Sequence, residues 1–201
     1  MALHKAPQSA ICPVLPDADI LYYPNFLSHD SAQEYFKILF ESLNWEQHEI
    51  KLFGKTLPQP RLTALYAESE VPYTYSRLTL FPKKFPSELE EIRNELAKYT
   101  PVHFTHCLAN LYRNGNDRMG LHSDDEKELG LNPTIASISL GGTRKFKLKH
   151  KVLKDQKFEI DLEPGSLLLM QGSTQHFWKH ELPKTKNQAS PRINLTFRTI
   201  L

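Results

Sequence analysis

The sequence predicts an α+β fold: an antiparallel sandwich or jelly roll with helices packed on its outside. Three observations carry this. Helical spacing appears only within the first hundred residues, about seven short strand-like runs follow residue 101, and turn residues separate those runs.

The elements follow in order. Residues 1–20 are rich in Pro and Ala and read as a loose lead-in. A helix is expected after Phe26, capped by Ser28 or Ser31; Ser31 and Glu34 have capping-box spacing. Its apolar stripe is Tyr35, Phe36, Leu39, Phe40 and Leu43. Residues 52–76 hold prolines and aromatics without a period, which predicts loops with short strands. A second helix fits 86–99, with Pro86 at its start and Leu89, Ile92, Leu96 and Tyr99 on one face. Strands are expected at 103–113, 134–140, 143–150, 157–162, 165–170, 175–180 and 191–199. Gly141-Gly142 is a two-residue hairpin signal and Pro164-Gly165 marks another turn. The chain therefore divides into an extension (1–20), a helix-and-loop region (21–100) and a strand-rich core (101–201), together one compact domain.

Composition sets outer bounds. Of 201 residues, 40% are hydrophobic and 24% charged, ordinary values for a globular chain. The net charge of +2 does not by itself announce a nucleic-acid binder. Cys12 and Cys107 have no metal spacing and form no disulfide framework, which suits a reducing compartment. There is no apolar run of membrane-spanning length, and Met-Ala-Leu-His-Lys lacks the apolar region of a secretory signal. The expectation is an intracellular monomer without a membrane partner.

The chemistry concentrates in a few patterns. In Pro191-Arg-Ile-Asn-Leu-Thr-Phe-Arg198, read as a strand, Arg192, Asn194, Thr196 and Arg198 share one face, and Ile193, Leu195 and Phe197 share the other. Two guanidinium groups on one face suggest a socket for a dianion, since arginine grips carboxylates with paired hydrogen bonds. His122 and Asp124 face the same way on an extended backbone and can chelate one ion. A third ligand comes from His176 or His180, which spacing alone does not separate. Two histidines and one carboxylate on one face of a metal leave positions open for oxygen and a co-substrate, the arrangement of non-haem Fe(II) oxygenases. Asn110 and Tyr112 form another same-face pair that can complete the socket.

These patterns together resemble a known family. Asn-Leu-Tyr-Arg-Asn-Gly (110–115), His-Ser-Asp-Asp-Glu (122–126), Ile-Ala-Ser-Ile-Ser-Leu-Gly (135–141), Gly-Ser-Leu-Leu-Leu-Met (165–170), His-Glu-Leu-Pro (180–183) and Pro-Arg-Ile-Asn-Leu-Thr-Phe-Arg (191–198) occur in the order they take in the AlkB family of Fe(II)/2-oxoglutarate dioxygenases, which repair alkylated nucleic acid. The match looks closest to the branch that includes the human nuclear DNA-repair homologue. It is strong over the C-terminal half and extends back to about residue 50.

The resemblance implies a double-stranded β-helix and a division of labour among residues. His122, Asp124 and His180 would hold Fe(II), with Trp-x-His-x-Leu-Pro selecting His180. Arg192, helped by Tyr112 and Asn194, would bind the distal carboxylate of 2-oxoglutarate, and Arg198 and Asn110 its metal-chelating end, with Thr196 on the same face. O2 and 2-oxoglutarate are consumed, succinate and CO2 are released, and an N-methyl group of the 1-methyladenine or 3-methylcytosine type leaves as formaldehyde. Asp125, Glu126, Tyr66, Tyr73 and Tyr75 would contact the base, with 21–100 supplying the nucleotide-recognition loops. Leu52-Phe53-Gly54-Lys55 resembles the branch's intercalating finger, with Phe53 and Gly54 at the DNA. Lys145, Lys147 and Lys149 form a basic stripe for phosphates. The partner is alkylated DNA, with RNA as a second candidate. The N-terminus has no basic import cluster, which points to the bacterial cytoplasm, or to the nucleus if the source is eukaryotic. The alternatives are a protein or lipid hydroxylase, against which the basic stripe, Phe53 and Asp125 argue, and a non-catalytic cupin-like binding module, against which the intact triad and both arginines argue.

Overall fold

The computed structural model describes residues 10–52, 54–69, 73–75, 78–186 and 189–201, with the backbone alone for 51–52, 55, 73–75 and 78–80. The first half holds β1 (Asp19–Tyr23), α1 (His29–Ser42), the hairpin strands β2 (Glu49–Leu52) and β3 (Lys55–Pro58), β4 (Leu62–Ala67), a second hairpin of β5 (Tyr73–Tyr75) and β6 (Leu78–Leu80), β7 (Lys83–Lys84) and α2 (Ser87–Leu96). The second half holds β8 (His106–Tyr112), β9 (Met119–His122), a 3-10 turn (Lys127–Leu129), β10 (Ile135–Gly141), β11 (Arg144–His150), β12 (Lys157–Leu162), β13 (Leu167–Gln171), the single turn α3 (Thr174–Phe177), β14 (Trp178–Leu182) and β15 (Arg192–Arg198).

Two sheets form the sandwich. The larger runs β1-β13-β10-β15-β8-β4-β7, and the smaller runs β12-β11-β14-β9. Every pairing in them is antiparallel except β4 with β7. This is the expected jelly roll, a double-stranded β-helix with helices outside. β4 brings residues of the first half beside β8, so the larger sheet draws strands from both halves.

The period of two along β15 gives the larger sheet two unlike faces. Ile193, Leu195 and Phe197 stand opposite Leu111, Ala109 and Cys107 of β8, and Leu140, Ile138 and Ala136 of β10. This face packs against Leu39 of α1 and Leu89, Ile92 and Leu96 of α2 in one apolar cluster. Burying each such side chain contributes about 1.5–3 kcal/mol. The other face meets the smaller sheet. There Leu168, Met170 and Ile135 contact Phe146, Leu148 and Trp178, while the β15 end is polar.

Local chemistry sets the helix ends. Ser28, not Ser31, caps α1: its Oγ accepts the Ser31 N–H at 3.1 Å, so the Ser31–Glu34 capping box does not form. The expected stripe is narrower than predicted, since Phe40 is 41% exposed while Leu39 is fully buried. Pro86 occupies the N-cap of α2.

The expected Gly141-Gly142 hairpin is corrected. β10 and β11 do not pair; they belong to different sheets, and the two glycines carry the chain from one to the other. Glycine is required there by crowding: a Cβ on Gly141 (φ 80°) would lie 2.5 Å from the Phe36 ring and from the Pro191 carbonyl oxygen. The lead-in is also less loose than expected. Ile11 pairs with Tyr22, and Trp178 Nε1 donates to the Pro16 carbonyl at 2.8 Å.

Candidate metal centre

Two histidines meet because two strands of the smaller sheet pair. His122 on β9 stands directly opposite His180 on β14, with ring centroids 4.3 Å apart. Asp124 follows just beyond β9, and its backbone N–H donates to Gln175 Oε1 at 3.0 Å. The imidazole Nε2 atoms of His122 and His180 lie 3.9 and 3.8 Å from the Asp124 carboxylate, and one ligand atom from each of the three lies within 4.8 Å of the others. Asp124 and His180 are buried and His122 is partly exposed, so the cluster has one open side. His176, on the exposed side of α3, takes no part in the cluster.

The protonation states suit a cation. His122 donates from Nδ1 to the Gly120 carbonyl at 2.8 Å, which leaves Nε2 with its lone pair directed at the cluster. Burial, reinforced by His122, pushes His180 down to about 3, and burial lowers His122 as well, so both rings are neutral. Burial alone would raise Asp124. The Arg198 guanidinium, 2.8 Å away, outweighs it and holds the carboxyl below its usual range. Two neutral nitrogens and one carboxylate are the donor set of a facial iron site.

Beside the cluster lies the polar half of the larger sheet. Register places Ser139, Asn194, Asn110 and Thr63 in one row across β10, β15, β8 and β4, and Arg192 beside Tyr112. Arg192 is 2% exposed. It donates from Nη2 to Ser139 Oγ at 2.9 Å and lies 5.4 Å above the Tyr112 ring, while its Nε has no partner. No carboxylate pairs with it among the described residues, and burial pushes it down to about 10. A buried cation without a counter-ion fits an incoming carboxylate. Asn194 and Thr196 form the floor: Asn194 donates to Ser137 Oγ at 2.8 Å and accepts from Thr196 at 3.1 Å.

Other expected residues fall differently. Arg198 faces the cluster and pairs with Asp124 itself. Asn110 lies on the right face, and its carbonyl accepts from Arg61 Nε at 2.8 Å. Tyr66 is corrected: it stands opposite Cys107, on the helix-packed face of the sheet, and its hydroxyl accepts the Asn44 N–H. Alternation along β4 forbids it from facing the metal cluster. Asp125 is exposed and paired with Lys151 at 3.1 Å, whereas Glu126 is half-buried with Oε2 unpartnered and its pKa raised, chiefly by burial. The expected basic stripe is neutralised. Lys145 pairs with Asp161, Lys147 with Glu159 and Lys149 with Glu181, at 3.0, 2.7 and 3.1 Å. Asp161 and Glu159 sit directly across from Lys145 and Lys147, where opposite charges stabilise a sheet, and Glu181, across from Lys147 on the other side, reaches Lys149 diagonally. Gly54 stands at the turn between β2 and β3 with φ 76°. Phe53 lies outside the described residues, and so do the side chains of Tyr73 and Tyr75.

Four contributors escaped the sequence reading. Arg61 lines the cavity beside the cluster, as does Ser137; Ser139 holds Arg192, and Gln175 fixes Asp124. The alternation in Ile-Ala-Ser-Ile-Ser-Leu-Gly was a signal for the two serines. Nothing local signals Gln175, which reaches Asp124 from a distant turn.

Comparison with known proteins agrees with this geometry. The chain matches the 2OG-Fe(II) oxygenase superfamily over residues 19–198. It is 40% identical over 186 residues to the alpha-ketoglutarate-dependent dioxygenase alkB homolog 3 of Bos taurus, covering 88% of this chain and 64% of that relative. It is 39% identical over 160 residues to the DNA oxidative demethylase ALKBH2 of Mus musculus, covering 76% of this chain and 67% of that protein. The chain thus spans just under two thirds of the bovine relative's length. A solved structure titled "The structure of OsALKBH1" superposes with a TM-score of 0.66 at 19% identity, covering 94% of this chain and 100% of that one. That likeness speaks to the fold.

Proposed function

We propose that this chain, which belongs to the 2OG-Fe(II) oxygenase superfamily in its AlkB branch, is a dioxygenase that removes N-alkyl groups oxidatively from DNA bases, using Fe(II), 2-oxoglutarate and O2. The observation that carries the reading is the convergence of His122, Asp124 and His180 within 4.8 Å, beside the buried and uncompensated Arg192. A nucleic-acid substrate is supported by the similarity to the murine DNA oxidative demethylase.

The residues present fit the groups required. His122, Asp124 and His180 would hold the iron, which when bound supplies the activation of oxygen. Arg192 would take the distal carboxylate of 2-oxoglutarate, and its partial desolvation is already met by the fold. Tyr112 supports the guanidinium from below through its ring face, 5.4 Å away. Arg198 holds the Asp124 carboxylate in its ionised form, and Gln175 fixes the backbone on which it rides. The half-buried Glu126 leaves an unpartnered oxygen near the cluster, suited to a cationic alkylated ring.

The test is formaldehyde and succinate release from oligonucleotides carrying 1-methyladenine, 3-methylcytosine or no lesion. Lesion-dependent formaldehyde matched by succinate is expected. Succinate without lesion-dependent formaldehyde would assign the same machinery to a protein or lipid substrate, and neither product would leave a binding module. RNA and single-stranded forms of the same sequences complete the substrate comparison.

A further inference from the structure

A second cleft lies outside the metal site, along the outer edge of β4. That edge is covered at one end by the bridge between Glu46 and Thr63 and at the other by the pairing of Tyr66 and Ala67 with β7. Between them opens a cleft of about 240 Å³ whose lining includes Asn44, Glu46, His48, Tyr66, Phe81 and Lys83. Thr63 and Leu65 line it too. They are the cross-strand neighbours of Asn110 and Leu108, which line the metal cavity, so one site begins where the other ends.

Two features mark it as built to bind. Thr63 is only 3% exposed, yet its Oγ1 has no hydrogen-bond partner. Buried hydroxyls are nearly always satisfied, and an orphan at the wall of a cleft is a place held for a ligand atom. Phe81, which also lines the cleft, is 75% exposed, unusual for a large aromatic ring. Its neighbours Lys83 and Lys84 are also exposed.

We propose that this cleft receives an unmodified nucleobase next to the lesion on the substrate strand. The proposal rests on the nucleic-acid reading of the metal site. Phe81 supplies a face on which any base can stack, and Thr63, Asn44 and the Glu46–His48 pair supply donors and acceptors for its edge. Lys83 stands at the rim, where the connecting phosphate passes. The volume is below the roughly 300–1,000 Å³ of sites for drug-sized ligands, which suits one base rather than a dinucleotide.

The test uses oligonucleotides with a single 3-methylcytosine and an abasic position immediately 5′ or immediately 3′ to it. Removal of the base on one side should raise KM about tenfold, on the scale of one base–aromatic stack. Phe81→Ala should raise KM for the intact oligonucleotide to the abasic level and abolish the difference between the two. Thr63→Val removes only an unpartnered hydroxyl, so the fold is retained while KM rises in the same direction. A 2-aminopurine placed at the sensitive position should lose fluorescence on binding to the wild type and keep it with Phe81→Ala. Demethylation that is indifferent to both abasic positions, or an abasic penalty that survives Phe81→Ala, overturns the subsite and leaves the proposed activity standing. Failure to bind or demethylate any oligonucleotide overturns both.

Discussion

Replacing Arg192 with methionine should make the ligand-free protein more stable and useless to its co-substrate. The guanidinium is fully enclosed, has Ser139 Oγ as its hydrogen-bond partner, and has no carboxylate beside it among the described residues. Burial takes it from 12.5 to about 10, which corresponds to about 3 kcal/mol of disfavour for the charged form. The sign follows directly: a base lowered in the fold is a liability at every pH below its folded value, so the cost is present throughout the working range. Methionine fills similar space without charge. Allowing for the lost Ser139 bond and ring contact, the metal-free variant should gain about 1–3 kcal/mol, or about 2–4 °C in Tm for each kcal/mol. Wild type with Mn(II) as an inert stand-in should gain about 2.7 kcal/mol when 2-oxoglutarate reaches about 100 times its Kd. The variant should show no such gain. Differential scanning fluorimetry of both proteins, with and without 2-oxoglutarate, decides the matter. A less stable apo variant that still responds to 2-oxoglutarate would show that Arg192 is a packing residue.

Other perturbations test separate parts. His180→Ala should abolish succinate production while His176→Ala keeps most of it; the reverse result refutes the ligand choice. Gly141→Ala must place a methyl 2.5 Å from Phe36 and from the Pro191 carbonyl at φ 80°, and should cost about 2–5 kcal/mol in urea unfolding; a change below about 0.5 kcal/mol would mean that the crowding relaxes freely. Asp117 accepts three hydrogen bonds from Arg113, at 2.9, 2.8 and 3.0 Å, and these bonds outweigh burial and lower its pKa. The stability it gives is present above the ordinary 3.8 and lost as pH falls through the lowered value. The Tm gap between wild type and Asp117→Asn should therefore be full at neutral pH and close in acid; a constant gap refutes the argument. Phe53→Ala should slow repair of duplex more than of single strands, because the duplex base must first be unstacked; an unchanged duplex-to-single-strand rate ratio removes Phe53 from that role.

Where a property follows from neighbours along the chain, the sequence displayed it. The alternation in Arg192–Arg198 correctly separated a core face from a polar face, and the His-x-Asp pair pointed at a cluster that the fold assembles. Properties that depend on which strand lies alongside were hidden. The lysines of β11 looked like a phosphate-binding stripe because their partners, Asp161, Glu159 and Glu181, sit on other strands. Tyr66 was assigned to the base through the family resemblance alone, and without β4 placed as a strand beside β8 there was no face on which to check it. Gly141-Gly142 carries a hairpin composition, but the Phe36 ring and the 190–191 backbone, not a turn, demand the glycines.

The position of β15 has a kinetic consequence. It is the last strand in order, yet it lies in the interior of the larger sheet, between β10 and β8. Neither neighbour can complete its ladder until residues 192–198 are available, and those residues also bring Arg192 and Arg198 to the site. During synthesis the upstream strands must wait, exposing open edges that other chains can join. A chain synthesised only as far as β14 carries His122, Asp124 and His180 but lacks both Arg198, the partner of the Asp124 carboxylate, and Arg192.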